Sequence, residues 1–430
     1  MLKKFLTGLL VGMYCSLACL GEAAGITNYE KFITAAYWQQ QNPNGNRVLL
    51  DAKGIKNYNA QIVALSRTVV DLKNYPTTYS GDSLKTRIMN YAVLDDDLYL
   101  RGNRVSENYK NILRQQTNAD AVPDQVKVQY AVTVRRCDVR GLPTGEGLFY
   151  SAGDRFFDVL QETSLDPGEP LVVLHKSANG YFYYCQTTNY SGWVSKFNMA
   201  LTDRNTWLQY LEPKSFVVVT DSKLPLKVGN EILTYQQGSR MPIIAQDDKT
   251  YTLLAAGRSN NGNYTKMTPM LRKDNPAVHL GYLPYTANNI LQSAFKFYGT
   301  PYGWGGKMEG VDCSALIYNV YRTVGVYLPR NADEQETTAG KGFQFEGMDE
   351  NARLSQIKLL TPGAGLYLDG HCLLYLGQSG GVPYVIQALA STFPDGERQT
   401  VMSVVVSDLN LERASGNTIC EELTTAVEFR

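Results

Sequence analysis

Residues 310–329 read GVDCSALIYNVYRTVGVYLP. Cys313, Leu316, Ile317, Val320, Tyr321 and Val324 recur at the spacing of one helical face, so a helix buried on that face is predicted from Cys313 onward. Asp312 is a good N-cap residue, and Gly325 with Pro329 punctuates the far end. Cys313 therefore falls in the first turn, where the helix dipole favours negative charge and a thiol ionises more easily. The run before it, PYGWGGKMEG over 301–310, is half Pro and Gly and reads as a loop whose backbone can approach a ligand closely. The plain alternative, a small buried thiol on an apolar helix, fits the spacing equally well.

A base within reach decides between the two. Residues 359–390, LLTPGAGLYLDGHCLLYLGQSGGVPYVIQALA, read as a β-meander with turns at Asp369-Gly370 and at Ser379 to Gly381. Strand alternation puts His371, Leu373 and Tyr375 on one face and Cys372, Leu374 and Leu376 on the other. Cys372 should thus point away from His371 and is not the nucleophile. A hairpin centred on Ser379 sets Gln387 opposite His371, near enough for its carbonyl to accept from one ring nitrogen and leave the other for a thiol. His175 and His279 lie outside this segment and read as ordinary satisfied histidines.

The bulk numbers limit the function classes. The chain has 430 residues, enough for two to four domains, with 44% hydrophobic residues. Lys plus Arg balances Asp plus Glu at 41 each, which argues against a nucleic-acid surface. Three histidines and no CxxC spacing argue against a metal centre. Residues 1–24 carry Lys3, Lys4 and an apolar run, the pattern of a cleaved export signal. The protein is therefore expected to be exported, periplasmic or secreted. A lipoprotein anchored at Cys19 is a variant of that reading, although Ser16 stands where a larger aliphatic is usual. Cys137 and Cys185 either pair or are two buried thiols.

The texture then divides the chain. Residues 25–125 are mixed and partly helical, with apolar stripes over 60–72 and 108–116. Residues 126–212 and 213–286 are short alternating strands with frequent turns, the signature of small β-barrels; Gly262 and Asn263 suggest a hairpin tip. Residues 287–430 begin with a helical stripe over 288–298 and hold Cys313 and His371.

YGTPYGWGGKMEGVDCSALIYNVYRTVGVYLPRNADEQ (298–335) resembles the signature of the NlpC/P60 cysteine peptidases, and GHCLLYLG resembles their histidine strand. VRRCDVRGLPT, FDVLQETSLDPGEPLVVLHKSANG and GYLPYT resemble the paired bacterial SH3-type domains of one subfamily, which also has an N-terminal helical stabilising domain. The resemblance implies an α+β multidomain chain, with a papain-like catalytic domain preceded by two SH3-like barrels and a mostly helical N-terminal domain. It implies a cell-wall hydrolase acting on peptidoglycan stem peptides between γ-D-glutamate and the diamino acid. Cys313 matches the nucleophile and His371 the base. Gln387 takes the third polar position, where histidine is commonest. Tyr302 matches a tyrosine near the oxyanion, and Asp312 and Ser314 match positions lining the substrate site. Relatives with SH3 domains hold the free amine of an N-terminal L-alanine against the first barrel; Asp138, Glu162 and Tyr190 are the candidates here. No metal, organic cofactor or obligate protein partner is implied, and a monomer is expected. A non-catalytic wall-binding protein, and an amidase or transpeptidase on the same fold, are the alternative readings.

Overall fold

The computed structural model describes residues 25–95 and 97–430. The expected export signal, with Cys19, lies outside the described residues.

The N-terminal segment forms helices at Ala52–Leu65, Gly81–Tyr91 and Glu107–Gln116, capped by Asp51, Ser80 and Ser106. The stripe expected over 60–72 is not one helix. The helix starts eight residues earlier than that stripe and stops at Leu65. Ser66 ends it: its hydroxyl oxygen accepts from the backbone N–H of Thr68 and Val69 and captures the chain in a local turn. Val69 and Leu72 are still buried, but from non-helical backbone. This segment has no single core of its own. Trp38, Tyr58 and Ile62 pack into the C-terminal domain, whereas Leu84 and Ile88 pack into the first barrel.

The first barrel is a seven-stranded antiparallel sheet built from strands between Gln129 and Thr202. Ala131, Val139, Leu171 and Val194 fill its centre together with Cys137 and Cys185. Both cysteines are buried free thiols, and burial pushes the Cys137 thiol up. The second β block holds a five-stranded sheet and two hairpins around Val217, Val219, Met241 and Leu253. Gly262 sits in the turn between strands Ala255–Arg258 and Tyr264–Met267.

The C-terminal domain is a six-stranded antiparallel sheet. Its central strands are Gly365–Leu368, His371–Ser379 and Val382–Thr392. Helices Ala287–Phe295 and Cys313–Arg322 cover one face, where Ile290, Leu316, Ile317 and Val320 meet Leu374, Leu376 and Ile386. Each such fully buried aliphatic side chain contributes about 1.5–3 kcal/mol. The alternation of strand His371–Ser379 follows the predicted faces: Leu373 and Tyr375 go to a second core on the opposite side.

Asp166 joins three parts of the molecule. From the first barrel, its nearly buried carboxylate accepts from Arg136 at 2.7 Å. From the second β block it takes Ser239 Oγ at 2.8 Å and the Gln236 amide at 3.2 Å. From the Cys313–Arg322 helix it takes Arg322 at 3.4 Å. The glycine loop before the helix makes a second joint. Gly305 and Gly306 have φ of +55° and +79°, and a Cβ on Gly305 would lie 2.5 Å from Gln161 of the barrel. The close approach expected of this loop is therefore made to the barrel wall, where Gln161 and Ser164 both donate to the Gly305 carbonyl at 2.9 Å.

Candidate active site

Asp312 sets where the helix begins. Its backbone is extended, and its Oδ1 accepts from the Ala315 amide at 2.9 Å, so Cys313 is the first helical residue. Cys313 is partly exposed at the helix head. His371 starts the neighbouring strand directly after the Asp369-Gly370 turn.

The His371 ring is oriented by a chain of hydrogen bonds. Gln387 is fully buried; its Nε2 donates to Ser407 Oγ at 2.7 Å, and Ser407 donates to the Asp408 carbonyl at 2.8 Å. The serine hydrogen is thus used on the carbonyl, so its oxygen accepts from the amide. That turns Gln387 Oε1 towards His371, whose Nε2 lies 2.7 Å away and must carry a proton. In the neutral ring the lone pair then sits on Nδ1, the nitrogen left free to act on the Cys313 thiol.

The register behind this contact differs from the expectation. Strand pairing runs through Leu374↔Ile386, with Gly380 and Gly381 forming the turn and a bulge between Tyr375 and Gly377. Continued, it sets Gln387 opposite Leu373, so His371 reaches Gln387 diagonally rather than directly across. The turn at Gly380 and Gly381, rather than at Ser379, slides the partner of Gln387 three positions along the strand, and the bulge takes one of them back.

Cys372 falls where alternation sends it, on the helix side of the sheet, and from there its thiol bears on the charge of Cys313. The Cys313 thiol is held well below its usual range, most strongly by this Cys372 S–H. Burial resists, and the hydrogen bond and charge of His371 add to the lowering. Cys372 itself is pushed up by burial, so it remains a donor. Cys372→Ala is expected to raise the Cys313 pKa, because the thiolate loses a donor. The acid limb of kcat/KM, and of Cys313 alkylation followed by peptide mass spectrometry, should move to higher pH. Cys372→Ser, which keeps a hydroxyl donor, should move it less; an unchanged alkylation profile in the alanine variant would remove Cys372 from this role.

A cavity of 430 Å³ lined by Cys313 and one of 580 Å³ lined by His371 share Trp304, Asp369 and Gly370 as walls. Asp312, Cys313 and Ser314 line the smaller one, together with Glu162 and Tyr190 of the first barrel. Tyr190 donates to Glu162 at 2.5 Å, and burial pushes the Glu162 carboxyl up. Asp138 pairs with Lys307 at 3.2 Å instead and is not among the lining residues.

Asp312 is already engaged. Arg330 grips it from both nitrogens, at 3.1 and 2.5 Å, while Gly305 N–H binds Oδ2 at 2.9 Å. Arg330 also donates to Ser314 Oγ and to Thr163 of the barrel, so one buried guanidinium ties the helix head to the cleft wall. Burial opposes the Arg330 charge, but Asp312 outweighs it and raises its pKa. Tyr302 lies on the other side, lining the larger cavity with His371; burial, then the neighbouring Cys313, pushes its phenol up. Arg330 and Ser407 were not singled out from the sequence. Arg330 stands in the 298–335 stretch beside Pro329 without periodicity, and Ser407 meets Gln387 only through pairing with a distant strand.

His175 Nε2 lies 3.0 Å from the Asn118 carbonyl and His279 Nδ1 lies 3.1 Å from that of Gly281. Among the described residues no group of three or more His, Cys, Asp and Glu side chains is placed to hold a metal ion.

Residues 299–388 match the model of the NlpC/P60 family, and residues 148–195 that of an SH3 domain of the SH3b1 type. Dipeptidyl-peptidase 6 of Lysinibacillus sphaericus is 26% identical over 218 residues, covering 49% of this chain and 75% of that protein. A gamma-D-glutamyl-L-lysine dipeptidyl-peptidase of Bacillus subtilis (strain 168) is 33% identical over 113 residues, covering 25% of this chain and 38% of its own. An NlpC/P60 endopeptidase of Photobacterium damselae subsp. piscicida has the same fold, with a TM-score of 0.73 at 18% identity over 90% of this chain and 95% of that one.

Proposed function

Since the chain is a cysteine peptidase of the NlpC/P60 family carrying an SH3b1-type domain, we propose that it cuts stem peptides between γ-D-glutamate and the diamino acid. The observation that carries this reading is Cys313 as the first residue of a helix whose neighbouring strand begins at His371, a ring held from its Nε2 by Gln387 and, after Cys372, lowering the thiol's pKa. The Cys313 thiolate attacks the γ-carbonyl carbon. The first helical N–H groups and Tyr302 face the oxygen on which charge develops. The tetrahedral intermediate collapses as the C–N bond breaks, and imidazolium His371 protonates the leaving amine. Water, deprotonated by His371, then hydrolyses the thioester and frees the γ-carboxylate. Gln387 holds the ring without carrying charge.

The smaller cavity takes the L-Ala-γ-D-Glu side of the substrate. Glu162, braced by Tyr190, is the group for the free ammonium of L-alanine, because both oxygens of Asp312 are engaged by Arg330. A buried ammonium needs such a carboxylate. The substrate is accordingly a peptide already freed from glycan, met outside the cytoplasm by a chain exported on residues 1–24.

The test is mass spectrometry of products from L-Ala-γ-D-Glu-diamino acid, free or acetylated at its N-terminus. Cleavage of the free peptide alone is expected. Cleavage of both keeps the peptidase and discards the amine site, and cleavage of neither by folded protein discards the reading. Glu162→Gln is expected to lower kcat/KM on the free peptide by about tenfold or more, the worth of a hydrogen bond between charged groups. An unaltered kcat/KM would take the ammonium away from Glu162.

A further inference from the structure

The 580 Å³ cavity on the far side of His371 has a composition of its own. Phe157, Trp304, Leu389 and Phe393 give it apolar walls, and Arg413 and Glu422 stand together among its lining residues. Arg413 Nε pairs with Glu422 at 3.0 Å, and the two side chains are 29% and 20% exposed. Arg413 Nη2 donates to the Asp369 carbonyl at 2.9 Å, which pins the guanidinium beside the turn that delivers His371. Its Nη1 has no partner among the described residues. Ser415 donates to the other oxygen of Glu422. Asp369 is the remaining charged group lining this cavity.

We infer that this cavity reads the far end of the leaving diamino acid as a zwitterion, Arg413 taking a terminal carboxylate and Glu422 the ammonium beside it. The inference rests on the proposed cleavage site, which leaves the diamino acid on the His371 side of the thiol. Methylenes of its side chain lie along the apolar walls. A residue of the diaminopimelate type ends in both charges, so each member of the Arg413–Glu422 pair exchanges one opposite charge for another. Lysine ends in an ammonium alone; it satisfies Glu422 and leaves the guanidinium, a fork built for carboxylates, without its match. The pair thereby favours diaminopimelate over lysine.

The experiment compares kcat/KM of the full chain on three peptides. Each begins L-Ala-γ-D-Glu and ends in meso-diaminopimelate, the same residue amidated at its far carboxyl, or L-lysine. The free diaminopimelate peptide should lead both others by about tenfold or more. Arg413→Gln should draw the three values together by lowering the first most. Equal values with the wild-type chain, or one common factor of loss in the variant, would overturn the inference while leaving the peptidase reading in place. Cleavage of none would overturn both. If Arg413→Gln does not fold, the wild-type series with the amidated peptide decides alone.

Discussion

Cys313→Ala is expected to lower kcat for peptide cleavage by about a million-fold, the scale on which removal of a catalytic nucleophile acts. The loss should be that complete because nothing adjacent can replace the thiolate. Cys372 touches the same position, but burial keeps its thiol protonated, and its donation to Cys313 gives it no role once that sulfur is gone. His371 would still be held by Gln387, so the variant keeps an imidazole but has no acceptor for the acyl group. The cavity on the barrel side keeps Glu162, Tyr190 and Arg330, and the variant should still bind L-Ala-γ-D-Glu in calorimetry. Retained cleavage at the wild-type rate would mean another nucleophile. Loss of binding together with cleavage would mean that the substitution damaged the site rather than the chemistry.

The second large effect belongs to Arg330. Arg330→Met leaves the Asp312 carboxylate buried without its cation, a change that costs about 3–5 kcal/mol. It also cuts the bond from the helix head to Thr163 on the barrel. Adding Asp312→Asn should recover part of the stability, because asparagine still caps the helix and no charge is stranded. The measurement is urea unfolding of the wild type, the single variant and the double variant. A single variant that unfolds at the wild-type midpoint would mean that the ion pair contributes nothing.

Local chemistry made part of the site legible. Apolar spacing from Cys313 to Val324, with Asp312 ahead of it, specifies the helix and the place of the thiol on it. Asp369-Gly370 specifies the turn that brings in His371. Distant relations were harder to read. The turn falls at Gly380-Gly381 rather than at Ser379, which slides Gln387 past His371. A bulge inside the histidine strand brings it back only as far as the diagonal. Both geometries join the two residues, so the contact was reached through a register that does not occur. Cys372 was assigned the correct face and set aside as the nucleophile; what local pattern did not carry is that the helix-side face is where Cys313 lies, so a thiol there bears on the charge of the nucleophile. Arg330 was missed because a lone arginine after a proline has no pattern until the fold shows which carboxylate it meets. Ser66 shows the converse error, in which a run of apolar residues suggested one helix and a single hydroxyl ended it.

Asp166 bears on how substrates arrive. Swinging the first barrel away from the thiol would strip this carboxylate of Ser239, Gln236 and Arg322 together and leave it Arg136 alone. An opening motion of the barrel would have to break these bonds at once, so the cleft is expected to sort substrates at its mouth, with a bulky chain refused before it reaches the thiol rather than bound and released.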